Sequence, residues 1–273
     1  MYGATTIEYR LDSNDGWKVD LADLEAKMSE HVRFVVLINP NNPTGNVATP
    51  EEVDTILRIV KAWPQCMIIA DEIYDSLDFT GHHVSVASRS STVPVVTLNG
   101  VSKVFVAPGW RIGWFGLHDP SGALGAVREA LERLLRSRLC ASTPAQHGYL
   151  AGLTGDRSWL GPYLERVQAQ RQRCLDRIAT IDGLEVEAPG GAFYMFIRLT
   201  DDAWAKNDKQ FVLDLLHEEH VLLVHGSGFS PDRGQGHVRL VYLADVAVLD
   251  EAFDRIERFL KRHRNGAMLE MDS

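Results

Sequence analysis

The chain has 273 residues, of which 45% are hydrophobic and 24% charged, and its formal net charge is -9 at pH 7. This composition is typical of a globular protein and excludes a fibrous or largely disordered chain. The acidic balance argues against a nucleic-acid-binding surface, which needs clustered Lys and Arg. No apolar run approaches the roughly 20 residues of a membrane helix. The three cysteines, Cys66, Cys140 and Cys174, have neither disulfide nor zinc-ligand spacing. We therefore expect a cytoplasmic protein that handles small molecules, with no nucleic-acid or membrane partner.

The first part of the chain alternates apolar runs with amphipathic stretches, a pattern typical of a parallel sheet covered by helices. Strands buried on both faces are predicted at 34–39, 66–70, 93–99 and 112–117, and an earlier strand at 5–10. A helix is predicted to begin after Thr49, because Thr49, Pro50 and Glu52 form a capping-box sequence. Helical spacing predicts further helices at 120–138 and 163–181.

After Gly183 the order of the predicted elements changes. The pattern predicts strands at 184–187, 193–197, 221–224 and 237–243, with helices at 208–220 and 246–263. Strands that pair before their helices favour a smaller α+β domain. We therefore predict a partial large domain over 1–160, a connecting helix over 161–182, a small domain over 183–264 and a disordered tail over 265–273.

Four segments at or near predicted strands carry polar residues that sheet formation does not require. They are Asn39-Pro40-Asn41-Asn42-Pro43-Thr44-Gly45, Asp71-Glu72-Ile73-Tyr74, Ser102-Lys103 with Gly109-Trp110-Arg111, and Arg239 within the run 238–243. Parallel α/β sheets place their ligand sites at the carboxyl ends of strands. Each segment also has an ordinary structural explanation: a loop, a helix N-cap, a surface lysine, or an arginine whose stem covers apolar surface. On the residues alone, both interpretations stay open.

The same residue types can carry chemistry. A lysine beside a hydroxyl at the end of a buried strand, as at Lys103, is a candidate amine nucleophile. An acid in the position of Asp71 needs a cationic or donor partner, and Arg239 offers a fork for a carboxylate. His217 and His220 depart from the H-E-x-x-H spacing of zinc enzymes and favour a solvated helix face over a metal site.

The order and spacing of these segments closely resemble the aminotransferase class I/II family of pyridoxal-phosphate enzymes, of fold type I. The matching motifs are NPNNPTG, DEIY, SK followed by GWR, and the distal arginine, over a stretch from about Tyr9 to about Leu260. The segments GGAFYMF and VLLVHGSGF are similar in particular to the bacterial alanine (glutamate–pyruvate) aminotransferases. The resemblance implies an α/β three-layer large domain with a mostly parallel sheet, a smaller C-terminal α+β domain, and a homodimer.

The resemblance also implies a site for pyridoxal 5'-phosphate. Lys103 holds the cofactor as a Schiff base and then transfers the proton at the substrate α-carbon. Asp71 pairs with the pyridine nitrogen, and Tyr74 and Asn42 hydrogen-bond the phenolic oxygen. These roles make Lys103, Asp71 and Tyr74 the implied catalytic residues.

The remaining implied roles concern anions. Arg111, with the help of Ser102, holds the cofactor phosphate, because a guanidinium fork matches its geometry. Arg239 binds the substrate α-carboxylate, and Asn42 borders the substrate. The implied reaction transfers an amino group between a small amino acid, alanine or aspartate-like, and a 2-oxo acid such as 2-oxoglutarate or pyruvate.

The sequence also departs from the family pattern. Full-length members carry, upstream of where this sequence starts, an N-terminal arm, a glycine-containing turn and helix N-terminus that bind the phosphate, and an aromatic residue that stacks on the pyridine ring. We therefore expect an N-terminally truncated fold with weakened cofactor binding and a partly uncovered sheet. The sequence is either part of a longer chain or a shortened variant. Three functions stay open: an aminotransferase, a non-catalytic remnant of that fold, or a pyridoxal-phosphate-dependent lyase or decarboxylase.

Overall fold

The computed structural model describes residues 3–271, without the side chains of residue 138 and of residues 265–271. The described chain divides into two compact units, and it passes from the first to the second between Trp159 and Leu160. The helix that we predicted as a connector over 161–182 belongs to the second unit. The first unit comprises the residues up to Asn42, Asn46–Trp159 and Gly190–Ala192; the second comprises Pro43–Gly45, Leu160–Pro189 and the residues from Phe193 on.

The first unit is an α/β unit built on a mainly parallel sheet, as the sequence predicts. In this sheet β3, β4 and β5 run parallel, and β6 pairs antiparallel with β5. The elements are β1 (Leu11–Asp12), β2 (Lys18–Val19), α1 (Leu21–Lys27), β3 (Phe34–Ile38), α2 (Pro50–Lys61), β4 (Met67–Asp71), α3 (Val86–Arg89), β5 (Val95–Gly100), β6 (Gly113–His118), α4 (Gly125–Arg138) and α5 (Thr143–Thr154).

Helix α2 begins where the capping box predicts. The Glu52 backbone N–H donates to Thr49 Oγ1 at 3.2 Å, and the Thr49 N–H donates to Glu52 Oε2 at 2.7 Å. These two bonds satisfy donors that a helix N-terminus otherwise leaves unpaired. The apolar side of the helix, including Ile56, packs into a core with Val35 of β3 and Ile68 of β4. This packing covers one face of the sheet.

The prediction that β3 is buried on both faces is wrong. Val35 and Leu37 are buried, whereas Phe34 is 51% exposed and Val36 is 48% exposed. Successive side chains of a strand point to opposite faces, so a helix on one face protects only every second residue. Strand β6 likewise exposes Trp114 and Phe115, so the prediction that it is buried on both faces is also wrong.

Two further segments of the first unit differ from expectation. Residues 5–10 do not form the predicted strand. Individual hydrogen bonds hold this segment instead: the Tyr9 hydroxyl donates to the Val36 carbonyl at 2.7 Å, and the Asp20 N–H donates to the Arg10 carbonyl at 2.9 Å. Helix α5 was not predicted, because its small and polar residues lack a clear apolar stripe.

The second unit is α+β, with a sheet of order β7-β8-β10-β9 whose neighbouring strands are antiparallel. The strand predicted at 221–224 is reduced to Val224–His225; Val221 and Leu223 are buried but lie outside it. The elements are α6 (Leu160–Ile178), β7 (Leu184–Val186), β8 (Tyr194–Leu199), α7 (Asp202–Lys206), α8 (Asp208–Glu219), β9 (Val224–His225), β10 (His237–Val241) and α9 (Val246–Met271).

Helix α9 is longer than predicted. We expected disorder over 265–273, but the backbone is helical as far as Met271, and residues 272 and 273 lie outside the described residues. The sequence of this stretch contains Ala267, Met268 and Leu269, which are strong helix formers. Along residues 3–271, no helix combines the length and the apolar character that a membrane crossing requires.

Candidate active site

The predicted site segments of the first unit meet at one edge of the sheet. In the parallel register Ile38 pairs with Asp71, and Asp71 pairs with Leu98, so the carboxyl ends of β3, β4 and β5 lie side by side. Gly100 pairs with Gly113, which brings the start of β6 to the same edge. Neighbouring strands are about 4.8 Å apart. The Asn turn, the Asp71–Tyr74 turn and the Ser102–Arg111 segment therefore all leave the sheet at this edge.

Lys103, Tyr74 and Asp71 form the centre of this edge. The Lys103 Nζ lies 5.7 Å from the centroid of the Tyr74 ring, and Tyr74 itself is buried. Burial raises the pKa of Asp71 above its ordinary value, while a hydrogen bond from the Ile73 backbone N–H at 3.2 Å and the charge of Lys103 lower it by less. Asp71 and Lys103 are thus near enough to interact electrostatically.

Polar contacts of Asn99 and Glu72 hold the turn that carries Asp71 and Tyr74. Asn99 Nδ2 donates to the Glu72 carbonyl at 3.0 Å and to Asp75 Oδ2 at 2.9 Å. The buried Glu72 carboxylate accepts from Ser85 Oγ at 3.1 Å and from the Val86 N–H at 2.9 Å. Burial raises the pKa of Glu72 despite these bonds. Sequence reasoning did not single out Asn99, because an asparagine at a strand end carries no chemical signal of its own.

The asparagine turn after β3 is also fixed by its own hydrogen bonds. The buried Asn39 Oδ1 accepts from the Ala48 N–H at 2.9 Å, and the Asn41 N–H donates to the Asn46 carbonyl at 2.8 Å. Asn42, the predicted cofactor and substrate contact, is half-buried within this turn. The turn therefore presents Asn42 from a rigid backbone.

Arg111 and Ser102 lie on the same segment as Lys103. Ser102 is half-buried, and Arg111 is exposed. The Arg111 backbone has a left-handed φ of 53°, and its Nη1 donates to the Pro108 carbonyl at 2.7 Å. One edge of the guanidinium is thereby oriented by its own loop. Its remaining donors suit a phosphate.

Arg239 belongs to the second unit. It lies on β10, where it pairs with Phe196 of β8 and Val224 of β9. Its guanidinium carbon is 4.7 Å from the centroid of the Tyr194 ring and 4.9 Å from that of Phe229. These rings orient the plane of the guanidinium. The role of Arg239 in substrate binding stays a prediction.

Helix α5 supplies contacts to the Lys103 segment that sequence reasoning missed. The ring of Phe105 meets that of Tyr149 edge-on, with 5.5 Å between centroids. Gly148 and Gly152 lie against Trp110 and Phe105, respectively. The signal for this surface is the four-residue spacing of the two glycines, which puts both on one face of a helix.

Comparison with known proteins adds the family to this geometry. The family described as aminotransferase class I and II matches residues 1–256. The chain therefore belongs to the aminotransferase class I and II family. The motifs NPNNPTG, DEIY and SK with GWR, on which the resemblance was based, lie within the matched residues.

Curated relatives and solved structures agree with this assignment. A glutamate–pyruvate aminotransferase of Haemophilus influenzae is 37% identical, over 96% of this chain and 65% of its own length. An alanine aminotransferase of Mycobacterium tuberculosis is 35% identical, over 96% of this chain and 62% of its own length. The chain thus spans less than two thirds of the length of either relative.

The fold comparison gives the same result. The alanine aminotransferase from Pyrococcus furiosus has a TM-score of 0.92 and 42% identity, with 96% of this chain and 66% of that chain covered. A tyrosine aminotransferase from Leishmania infantum has a TM-score of 0.88 and 29% identity, with 96% and 64% covered. The predicted α/β fold of type I is therefore confirmed.

Proposed function

We propose that this chain carries the lysine site of a pyridoxal-phosphate-dependent aminotransferase that exchanges amino groups between a small amino acid and a 2-oxo acid. The observation that carries the proposal is the grouping of Lys103, Tyr74 and Asp71 at one sheet edge, in a chain of the aminotransferase class I and II family. From the resemblance, we extend the proposal to a cytoplasmic homodimer with alanine or an aspartate-like donor and 2-oxoglutarate or pyruvate as acceptor.

The residues of this edge fit the cofactor. The Asp71 carboxyl has a raised pKa because burial removes water and the bond from Ile73 and the charge of Lys103 do not fully compensate. A protonated pyridine nitrogen is a donor and a cation, which is the partner that such a carboxylate needs. Asp71 would then hold the proton on that nitrogen. The Tyr74 hydroxyl and the Asn42 amide would donate to the phenolic oxygen.

The chemistry divides between the cofactor and Lys103. When bound, pyridoxal phosphate supplies an aldehyde that condenses with amines and a ring that accepts the electron pair left when the substrate α-carbon loses its proton. Lys103 is the residue that would hold the cofactor, because its primary amine can condense with the aldehyde with loss of water. The Lys103 Nζ would accept the proton from the substrate α-carbon as a base and later donate a proton as an acid.

The arginines would fix the two anionic ends. Arg111 already donates to the Pro108 carbonyl, so its guanidinium would meet the phosphate in a preset orientation, and Ser102 would add a hydroxyl donor. Arg239, with its plane set by Tyr194 and Phe229, would present two parallel N–H donors to the substrate α-carboxylate. Lysine in either position would supply the charge without the fork.

The test begins with cofactor binding. We expect the purified protein mixed with pyridoxal phosphate to gain a visible absorption band that Lys103→Ala lacks. Lys61→Ala is the matched control, because Lys61 is exposed at the end of α2. A wild-type protein without the band would overturn the proposal.

The second stage examines turnover. With alanine and 2-oxoglutarate, transamination yields pyruvate and glutamate in equal amounts. Release of ammonia would instead indicate lyase chemistry. A folded protein that forms the band but exchanges no amino group with any small amino acid would favour the non-catalytic remnant.

A further inference from the structure

The segment that carries Lys103 and Arg111 has an unfavourable backbone conformation. Residues 101–111, called the lysine loop below, contain two non-glycine residues with left-handed φ, Val106 at 51° and Arg111 at 53°. For a β-branched residue such as Val106 this conformation is a genuine outlier. Such a conformation persists only where the surrounding structure imposes it. The contacts that hold the lysine loop are therefore part of how the lysine is presented.

Hydrogen bonds within the loop define its shape. The Val106 N–H donates to the Lys103 carbonyl at 3.1 Å, and the Ala107 N–H donates to the Val101 carbonyl at 3.2 Å. Both bonds are local to the loop, so they do not tie it to the rest of the unit. Ring contacts also join the loop to the rest of the unit.

Helix α5 and the residues that follow it supply these ring contacts through Phe105, two residues after Lys103. Phe105 meets Tyr149 edge-on at 5.5 Å between centroids and lies 5.7 Å from the Trp159 ring. The Arg157 guanidinium carbon is 5.7 Å from the centroid of the same ring. Tyr149 is also buried with Val101 in a small apolar core. Phe105 is thus held on several sides.

Two glycines let the helix approach this closely. A Cβ at Gly152 would lie 2.8 Å from Phe105 Cε1, and a Cβ at Gly148 would lie 2.5 Å from Trp110 Cζ3. Both distances are shorter than carbon atoms tolerate. Phe105 follows Lys103 by two residues and Trp110 directly precedes Arg111, so each glycine accommodates a ring close in sequence to a predicted cofactor-binding residue. The four-residue spacing places both glycines on one face.

Tyr149, between the two glycines in sequence, links this face to the sheet. Its hydroxyl accepts a hydrogen bond from Trp114 Nε1 on β6 at 2.9 Å. Burial raises the pKa of Tyr149, so this hydroxyl stays protonated at neutral pH. The helix is therefore anchored to β6 at the point where it supports the lysine loop.

We propose that the face of α5 formed by Gly148, Tyr149 and Gly152 is a positioning surface that sets the geometry of the lysine loop, and through it the placement of Lys103 and Arg111 on the cofactor. The surface acts through Phe105 and Trp110 and touches no reacting atom. This inference rests on the proposed function for its cofactor readouts, but its effect on the loop is independent of any cofactor.

The first experiment uses Gly152→Ala. Helix propensity alone favours alanine over glycine, so any loss comes from the contact with Phe105. Misplacement of a reacting group by about 1 Å can cost roughly 100-fold in rate. We expect pyridoxal-phosphate affinity on the order of tenfold weaker and a shifted pH midpoint of the visible band. The urea unfolding midpoint of the apo-protein serves as the measure of folding, because the crowding of Phe105 lowers it and the helix propensity of alanine raises it.

Matched variants separate this effect from misfolding. Gly161→Ala, on α6, has no atom within 4 Å of the added Cβ and should behave as wild type. Phe105→Leu should make room for the new methyl group, so the double variant Gly152→Ala/Phe105→Leu should bind the cofactor about as well as Phe105→Leu alone. Gly152→Ala with wild-type affinity and pH midpoint, or with a loss that Phe105→Leu does not rescue, overturns the inference.

A cofactor-free measurement keeps this inference distinct from the proposed function. Hydrogen exchange of the Val106 and Ala107 amides in the apo-protein should be faster in Gly152→Ala than in Gly161→Ala. If the wild type gives no visible band, the proposed function fails while this comparison still decides the positioning role. Equal exchange rates in the two variants refute it.

Discussion

The charge of Lys103 lowers the pKa of Asp71, yet burial of the Asp71 carboxyl raises it by more. The two groups lie at the carboxyl ends of the adjacent strands β4 and β5, where the register pairs Asp71 with Leu98. Without a further cation, the folded protein bears the cost of an incompletely compensated carboxylate. This unfavourable burial favours the binding of a protonated ring, because a cation beside the carboxylate stabilises its charge.

Replacing Asp71 by Asn should therefore affect cofactor binding and stability differently. A neutral amide no longer pairs with a pyridinium, and a charged hydrogen bond contributes about 1.5–3 kcal/mol. That range corresponds to an affinity roughly 10- to 100-fold weaker. We expect this loss in a titration that follows the visible band. Asp232→Asn, at an exposed position, serves as the control.

The stability of the apo-protein should not fall in Asp71→Asn. The folded pKa of Asp71 lies above that of the unfolded chain, so the folded state keeps its proton to higher pH. The free energy of unfolding therefore decreases as the pH rises from about 3.9, the pKa of an unfolded Asp, to the higher pKa of Asp71 in the folded protein. Above that pH the free energy of unfolding stays at the lower value. In Asp71→Asn this decrease is absent. Urea unfolding of both proteins at pH 4 and pH 7 measures the decrease, and a variant much less stable than wild type at pH 7 would contradict the prediction.

Glu72 should be important for stability, since its carboxylate is the acceptor for two donors. It is 4% exposed and binds Ser85 Oγ and the Val86 N–H. Glu72→Ala leaves the buried Val86 N–H without this acceptor, which costs about 1–3 kcal/mol. Glu72→Gln retains one acceptor oxygen and should lose less. Glu51→Ala, at an exposed position in the first turn of α2, is the control, and an equal effect of Glu72→Ala and Glu51→Ala in urea unfolding would refute the prediction.

The cysteines should differ sharply in reactivity. Burial raises the pKa of Cys66 to about 11 and that of Cys174 to about 12, so both thiols stay protonated and shielded at pH 8. Cys140 is exposed. A thiol reagent at pH 8 should therefore label Cys140 rapidly in the native protein and all three cysteines after denaturation, with peptide mapping to locate each label. Rapid labelling of Cys174 in the native protein would contradict the prediction, because it would show that the buried side of α6 is open to the reagent.

Local signals predicted the elements whose determinants lie close together in the chain. The capping box of Thr49 and Glu52 marks the start of α2, because both hydrogen bonds join residues three apart. The apolar run before Asp71 likewise predicts β4. Helix α5 was not predicted, because Gly148 and Gly152 give no local helix signal. They contact Trp110 and Phe105, which lie about forty residues earlier in the chain.

The order of the polar motifs in the sequence determined the family and the candidate residues, because each motif is a short stretch that can be recognised by itself. The alternation of apolar runs with amphipathic stretches determined the sheet type. Only the tertiary structure decided that β3 leaves Phe34 and Val36 exposed, and how the charge of Lys103 acts on Asp71. It also decided that α5 packs against Phe105 and Trp110 of the lysine loop. These features depend on burial and on contacts between distant segments, and neither is encoded in the spacing of nearby residues.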